Sequence, residues 1–229
     1  MAIPSASYRS GTETVPADVF LPDGLAGPVP GVLVIHGSSG LAAHYKADMI
    51  SFTEALSKNG IGAVLPHYFV AAKLRADADG LPLIGQHYET WKTACKDALG
   101  FIAADARFHP SRLGVLGFSL GGHYALGLAM APPSGAVIKG VVDFFGPTLS
   151  PPLSGNWSSM PPLLMHHGLD DGLVTPQYSE HLKTLLQRAG KKDGTDFHLE
   201  TYEHQGHGFT GEALTKSRAA TVAFFVKTL

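Results

Sequence analysis

Residues Leu113 to Tyr124 read L-G-V-L-G-F-S-L-G-G-H-Y. An apolar run ends in Gly117-Phe118-Ser119-Leu120-Gly121, and a helix-compatible run, His123 to Met130, follows at once. This is the G-x-S-x-G pattern in its expected setting of strand, tight turn and helix. A serine hydroxyl is a poor nucleophile unless a neighbouring base takes its proton. A sharp turn lifts its oxygen off the sheet, and glycines two positions either side let strand and helix pass close together. The amide of Leu120, at the start of the helix, can then face a developing oxyanion. A glycine-rich strand-to-helix turn also suits phosphate binding, and so short a pattern arises by chance. The rest of the chain has to decide between these readings.

A serine nucleophile needs a base, and the base needs an orienting carboxylate. The chain has 12 histidines, so several compete. His207 lies between glycines in His204-Gln205-Gly206-His207-Gly208-Phe209, after a strand-like run. The glycines let the loop present the ring, and Phe209 can anchor it. His204 is the rival; His166 and His167 read as structural residues or pocket walls. Asp170 and Asp171 follow another strand-like run, Leu163 to His167, and the residue types leave both open. Either would by default cap the next helix, but Thr175 already offers a cap, with Pro176 at the first helical position. The order Ser, Asp, His is that of one hydrolase architecture and of neither the chymotrypsin nor the subtilisin arrangement.

The second oxyanion donor should come from the loop after an earlier strand. His36-Gly37-Ser38-Ser39-Gly40 fills that place, with the Ser38 amide as donor. A phosphate loop is disfavoured there, because no lysine follows the glycines. His166/His167 with Asp170/Asp171 make a poor metal set, since adjacent strand residues point to opposite faces. No metal and no cofactor is expected.

Composition narrows the field. At 229 residues the chain suits a single domain over 1–229. With 45% hydrophobic and 16% charged residues it should fold rather than remain disordered. A net charge of −2 without long charged runs argues against nucleic acid and anionic membranes as partners. The single cysteine, Cys95, excludes an intramolecular disulfide and reads as a packed or half-buried thiol. The N-terminal stretch has no apolar core of a signal peptide, and no run reaches the ~18 apolar residues of a membrane span. The expectation is a cytoplasmic protein of unassigned oligomeric state.

The elements that would position these residues can be read in order. Tyr8 to Leu21 predicts two short strands at a sheet edge. Pro30 to Ile35, Ile61 to Leu65, Leu113 to Phe118, Val137 to Phe145 and Leu163 to His167 are apolar runs of buried-strand type. Phe197 to Tyr202 alternates. Lys46 to Lys58, His87 to Asp105, the run after Ser119, Thr175 to Ala189 and Glu212 to Thr228 have helical character. Phe69 to Gln86 predicts an irregular excursion with partial helix, and Thr148 to Pro162 a loop. Alternation of strand and helix predicts an α/β fold, a mostly parallel sheet of about seven or eight strands with helices on both faces. Functional groups then collect beyond the strands' carboxyl ends.

Four segments, V-I-H-G-S-S-G-L, G-F-S-L-G-G, H-G-L-D-D-G-L-V-T-P and Y-E-H-Q-G-H-G-F, resemble the landmarks of the dienelactone hydrolase family of α/β-hydrolases. The resemblance runs from Val32 to the last helix. It implies the α/β-hydrolase fold and a triad of Ser119, Asp171 and His207. The family's G-x-x-D-x-x-V turn selects Asp171 over Asp170, and its Y-E-x-x-G-H-x-F segment selects His207. The founding members carry cysteine where this chain has Ser119, a glutamate where it has Gly37, and an arginine where it has Gly211. These departures point away from dienelactone and towards hydrolysis of small esters or lactones by a serine enzyme. Gly37, Tyr68, Phe145 and Phe209 are the candidate pocket walls, with core packing the competing role for the three aromatics. A peptidase, an acyltransferase or a non-catalytic binding relative would use the same scaffold, since fold and triad do not fix the acyl acceptor.

Overall fold

The computed structural model describes residues 5–24, 26–148, 153 and 155–229. Strands β1 (Ser5–Ser10) and β2 (Glu13–Phe20) form an antiparallel hairpin. Gly11 makes the turn with φ 55°, a conformation glycine adopts without steric penalty. Then follow β3 (Val29–Ile35), α1 (Ala43–Lys58), β4 (Gly62–Pro66), α2 (Ile84–Ala104), β5 (Phe108–Phe118) and α3 (Leu120–Met130). The chain ends with β6 (Ile138–Phe144), β7 (Leu163–Gly168), α4 (Gln177–Arg188), β8 (Phe197–Tyr202) and α5 (Gly211–Thr228).

The eight strands form one sheet in the order β1-β2-β4-β3-β5-β6-β7-β8. β2 pairs antiparallel with β4, and every pair from β4 to β8 is parallel. Strands β3, β5 and β6 are central and buried on both faces, which is why they read as continuous apolar runs. Alternate side chains supply two cores. Leu33, Ile35 and Val115 pack on one face with Trp91 and Cys95 of α2, Tyr124 of α3 and Leu182 of α4. Val32, Val34 and Leu116 pack on the other with Phe52 of α1 and Phe225 of α5. Because β3, β5, β6 and β7 pair parallel, their carboxyl ends lie along one edge of the sheet and carry the loops of interest.

The edge hairpin and the β–α alternation agree with the sequence reading. Boundaries differ in both directions: α1 starts three residues before Lys46 and β5 begins at Phe108 rather than Leu113, whereas β6 and α4 lie inside the expected Val137–Phe145 and Thr175–Ala189. Thr175 makes no side-chain cap on α4, whose N-cap position is Pro176. The loop expected from Thr148 to Pro162 lies partly outside the described residues; Trp157–Ser159 within it is one 3-10 turn. The excursion after β4 holds two such turns, Tyr68–Ala72 and Leu81–Leu83. It is tied to the loop after β3: Gly80 N–H donates to Ser38 O at 2.7 Å and Leu41 N–H to Ala76 O at 2.7 Å. Among the described residues, no helix is long and apolar enough to cross a membrane.

Candidate active site

Ser119 stands between β5 and α3 with φ 54° and ψ −119°, in the left-handed region that side chains rarely adopt. Its amide donates to Phe144 O at 2.8 Å and its carbonyl accepts from His123 N at 3.1 Å, which hold the turn in place. The flanking glycines are required by contact. A Cβ on Gly121 would lie 2.1 Å from Ile35 O, and one on Gly117 would lie 2.2 Å from Gly121 O. The strain at Ser119 is thus fixed by close packing of α3 on β3 and β5.

Three side chains from three loops meet over this turn. His207 Nδ1–H donates to Asp171 Oδ2 at 2.8 Å; a carboxylate can only accept, so the proton sits on Nδ1. His207 Nε2 is then the acceptor for the Ser119 hydroxyl, at 2.8 Å. Asp171 is 3% exposed. Its second oxygen, Oδ1, accepts from the amides of Leu173 and Val174, both at 2.9 Å. One carboxylate thus both holds its own turn and faces the histidine. Asp170 lies outside, 64% exposed on its side chain, beside an exposed His204.

His167 backs the carboxylate. Its Nε2–H donates to Val174 O at 2.7 Å and lies 3.5 Å from Asp171 Oδ2. Its Nδ1 accepts from Ser179 Oγ–H at 2.6 Å. Burial lowers its pKa, so the neutral tautomer fits both partners. His166, on the opposite face of β7, is also buried, and burial lowers it to about 3. Tyr202 donates to Glu200 at 2.8 Å, so its oxygen accepts from His166 Nδ1–H at 2.9 Å. Tyr202 packs in turn on Phe209, the 6%-exposed anchor of the His207 loop.

The loop after β3 is held by its carbonyls. Tyr68 O–H donates to His36 O at 3.0 Å. His36 Nδ1–H and the Gly40 amide donate to Gly37 O at 2.8 and 3.1 Å. In a trans peptide N–H and C=O point opposite ways, so anchoring Gly37 O aims the Ser38 amide away from His36. Among the described residues neither the Ser38 nor the Leu120 amide has a protein acceptor. Leu120 is the first residue of α3, where amides are left unpaired by the helix itself. A Cβ on Gly37 would come within 3.1 Å of Ser119 Cβ, so this loop lies directly against the serine.

A cavity of about 300 Å³ opens above Ser119. Gly37, Phe145 and Phe209 line it, together with Phe52, Phe118 and Phe144. Phe145 sits at φ 44° and places its ring 4.6 Å from that of His207. Tyr68 is corrected. It is fully buried and lies behind the cavity, stacked 4.1 Å beneath the His36 ring, because the turn after β4 folds it inward onto Trp91 and Tyr124. Sequence reasoning passed over Tyr45, Asp48 and Leu173, which also line the cavity. The spacing of Tyr45, Asp48, Met49 and Phe52 along α1 was the available signal, since it puts all four on one helix face.

The sequence profile of the dienelactone hydrolase family matches residues 15–224. The chain belongs to the dienelactone hydrolase family. No curated protein sequence matches it. Among solved structures, it is similar to a dienelactone hydrolase-like promiscuous phosphotriesterase from metagenomic libraries, with TM-score 0.80 and 21% identity over 100% of this chain and 99% of the other. It is also similar to the thermophilic esterase Est2 of Thermogutta terrifontis, with TM-score 0.74 and 17% identity over 98% and 94% of the two chains. A puromycin-hydrolyzing peptidase of Mycobacterium tuberculosis superposes with TM-score 0.77 and 19% identity over 99% of this chain and 39% of the other. The eight-stranded sheet is that of the α/β-hydrolase fold.

Proposed function

We propose that this dienelactone hydrolase family member is a serine hydrolase of small carboxylic esters or lactones. The observation that carries the reading is His207 bridging Ser119 Oγ and Asp171 Oδ2, at 2.8 Å each, beneath a largely apolar cavity. His207 Nε2 takes the serine proton as Oγ attacks the substrate carbonyl. Asp171 holds the tautomer and stabilises the imidazolium that forms. The Ser38 and Leu120 amides, unpaired among the described residues, receive the oxyanion. His207 then gives the proton to the leaving alcohol, and a water activated by the same nitrogen releases the acyl group. The cavity of about 300 Å³ supports a small substrate, at the lower end of the range for ligand sites.

The test is turnover of p-nitrophenyl acetate together with labelling by a fluorophosphonate. Wild-type protein should label at Ser119 and hydrolyse the ester. Ser119→Ala should lose the label and lower kcat by about 10⁴-fold or more. Undiminished turnover by Ser119→Ala would remove the assignment.

A further inference from the structure

The wall of the cavity formed by α1 carries one feature that the proposed chemistry does not use. Tyr45, Asp48, Met49 and Phe52 all line the cavity, at helical spacing i, i+3, i+4, i+7. Met49 and Phe52 are buried at 5% and 1% exposure, so this face packs against apolar side chains. Asp48 interrupts it. Among the described residues, the Asp48 carboxylate makes no side-chain hydrogen bond and no ion pair within 4.0 Å; only its backbone carbonyl is engaged, by Ser51 Oγ at 2.7 Å. Two cationic or titratable groups act on it from a distance, His44 on its own helix and Arg218 on α5. Arg218 is tied to Ser51 Oγ at 3.0 Å instead of to the carboxylate. Burial raises the Asp48 carboxyl above its ordinary range, against the pull of these two groups. Among the described residues, no lysine or arginine lines the cavity.

A carboxylate left unpaired on an apolar wall has a simple consequence for what can bind opposite it. A second carboxylate in the same small, partly dehydrated space is repelled by both Coulomb energy and lost hydration. A neutral group is tolerated, and a cation gains the partner that the protein withholds. We propose that Asp48 is a charge-selecting residue of this site, which makes the enzyme discriminate against esters bearing a second carboxylate and favour neutral or cationic ones. The proposal rests on the esterase reading above and assigns its substrate class. Two unit charges several ångströms apart at an effective dielectric of about 20–40 differ in binding by roughly ten- to fiftyfold.

The experiment compares kcat/KM for matched esters in wild type and in Asp48→Asn, an isosteric neutral variant. One set carries the charge on the alcohol side: 4-methylphenyl acetate, 4-acetoxybenzoate and (4-acetoxyphenyl)trimethylammonium. The other carries it on the acyl side: the p-nitrophenyl esters of hexanoic acid and of adipic acid, the latter with one free carboxylate. Comparing each ester across the two proteins cancels its intrinsic reactivity. In at least one set, Asp48→Asn should raise the anionic-to-neutral ratio by about tenfold, and in the alcohol set it should lower the cationic-to-neutral ratio. Asp48→Glu, which keeps the charge, should preserve the wild-type ratios. Equal effects of Asp48→Asn on all esters in both sets would overturn the proposal. If wild type hydrolyses none of them and Ser119 takes no fluorophosphonate, the esterase reading itself fails and takes charge selection with it. A wild type that labels at Ser119 and hydrolyses the esters while Asp48→Asn leaves every ratio unchanged sinks charge selection alone.

Discussion

At the scale of single residues, the site is specified by which atoms can donate. Each ring nitrogen of His207 has one partner, and the partner's chemistry fixes the proton: Asp171 can only accept, so Nε2 is left as an acceptor, the nitrogen that the proposed reaction uses as its base. Asp171→Asn tests this directly. The carboxamide keeps an oxygen for the Leu173 and Val174 amides, which hold Oδ1 at 2.9 Å, so the turn should survive. Its nitrogen then faces His207 Nδ1 and demands an acceptor there, which moves the ring proton to Nε2. A base already protonated at Nε2 cannot take the serine proton. The expected result is a loss in kcat of about 10³–10⁴-fold with p-nitrophenyl acetate. Fluorophosphonate labelling should slow in parallel. A loss below tenfold would mean that Asp171 does not set the tautomer. His167, neutral and bonded to both Val174 O and Ser179, backs that carboxylate and makes no hydrogen bond to Ser119 among the described residues.

Elements place these residues through close approach of backbone, and the glycines measure how close. Gly121 and Gly37 make a useful pair. A methyl at Gly121 would collide with Ile35 O at 2.1 Å, backbone on backbone, with nothing flexible to give way. Gly121→Ala should push α3 off β3, cost about 3 kcal/mol or more, and lower Tm by roughly 6–12 °C. A methyl at Gly37 would meet Ser119 Cβ at 3.1 Å and Phe118 O at 3.2 Å, a crowding that a few tenths of an ångström relieve. Gly37→Ala should therefore change Tm little yet reduce kcat, because the atoms that yield are those of Ser119 and the Ser38 peptide. Thermal melts and p-nitrophenyl acetate kinetics on both variants check the contrast. Equal Tm losses would show that the two approaches are alike. The elbow, the order of strands and helices and the three loops were all legible in the sequence, because apolar runs and glycine punctuation record burial and turns. Tyr68 was misplaced because an aromatic after a strand end looks the same whether it turns out to a pocket or, as here, in beneath His36. Asp48 was passed over because helical periodicity shows which face is buried and does not show which cavity lies against it. Between Asp170 and Asp171 the residue types decided nothing; burial of one and exposure of the other is a tertiary fact.

Across the whole molecule, buried titratable groups couple stability to pH in opposing directions. Burial lowers His36 and His166 to about 3 each, and also lowers His123 and His167. A histidine whose folded pKa lies below its unfolded value of about 6.5 takes up a proton on unfolding, so its contribution is lost as pH falls below ~6.5. These groups make the protein less stable in acid. Asp143 acts the other way. It is fully buried at the end of β6 and raised to about 7 by desolvation; among the described residues only Oδ1 is engaged, by the Gly146 amide at 3.1 Å, and Oδ2 has no partner. Its folded pKa exceeds the unfolded value of about 3.9, so the folded state holds a proton that the unfolded state releases between these limits. Stability from this group is therefore present below pH ~4 and is lost as pH rises to about 7. Asp143→Asn removes the ionisation and keeps the shape and the acceptor for Gly146. The variant should be more stable than wild type at pH 8, by a few kcal/mol at most, with the gain shrinking steadily towards pH 4. With this opposing term gone, the remaining histidines should make its Tm fall more steeply than that of wild type between pH 6.5 and 4. Thermal melts at half-unit intervals across pH 4–8 measure both slopes. Parallel Tm curves for the two proteins would show that Asp143 does not titrate in this range.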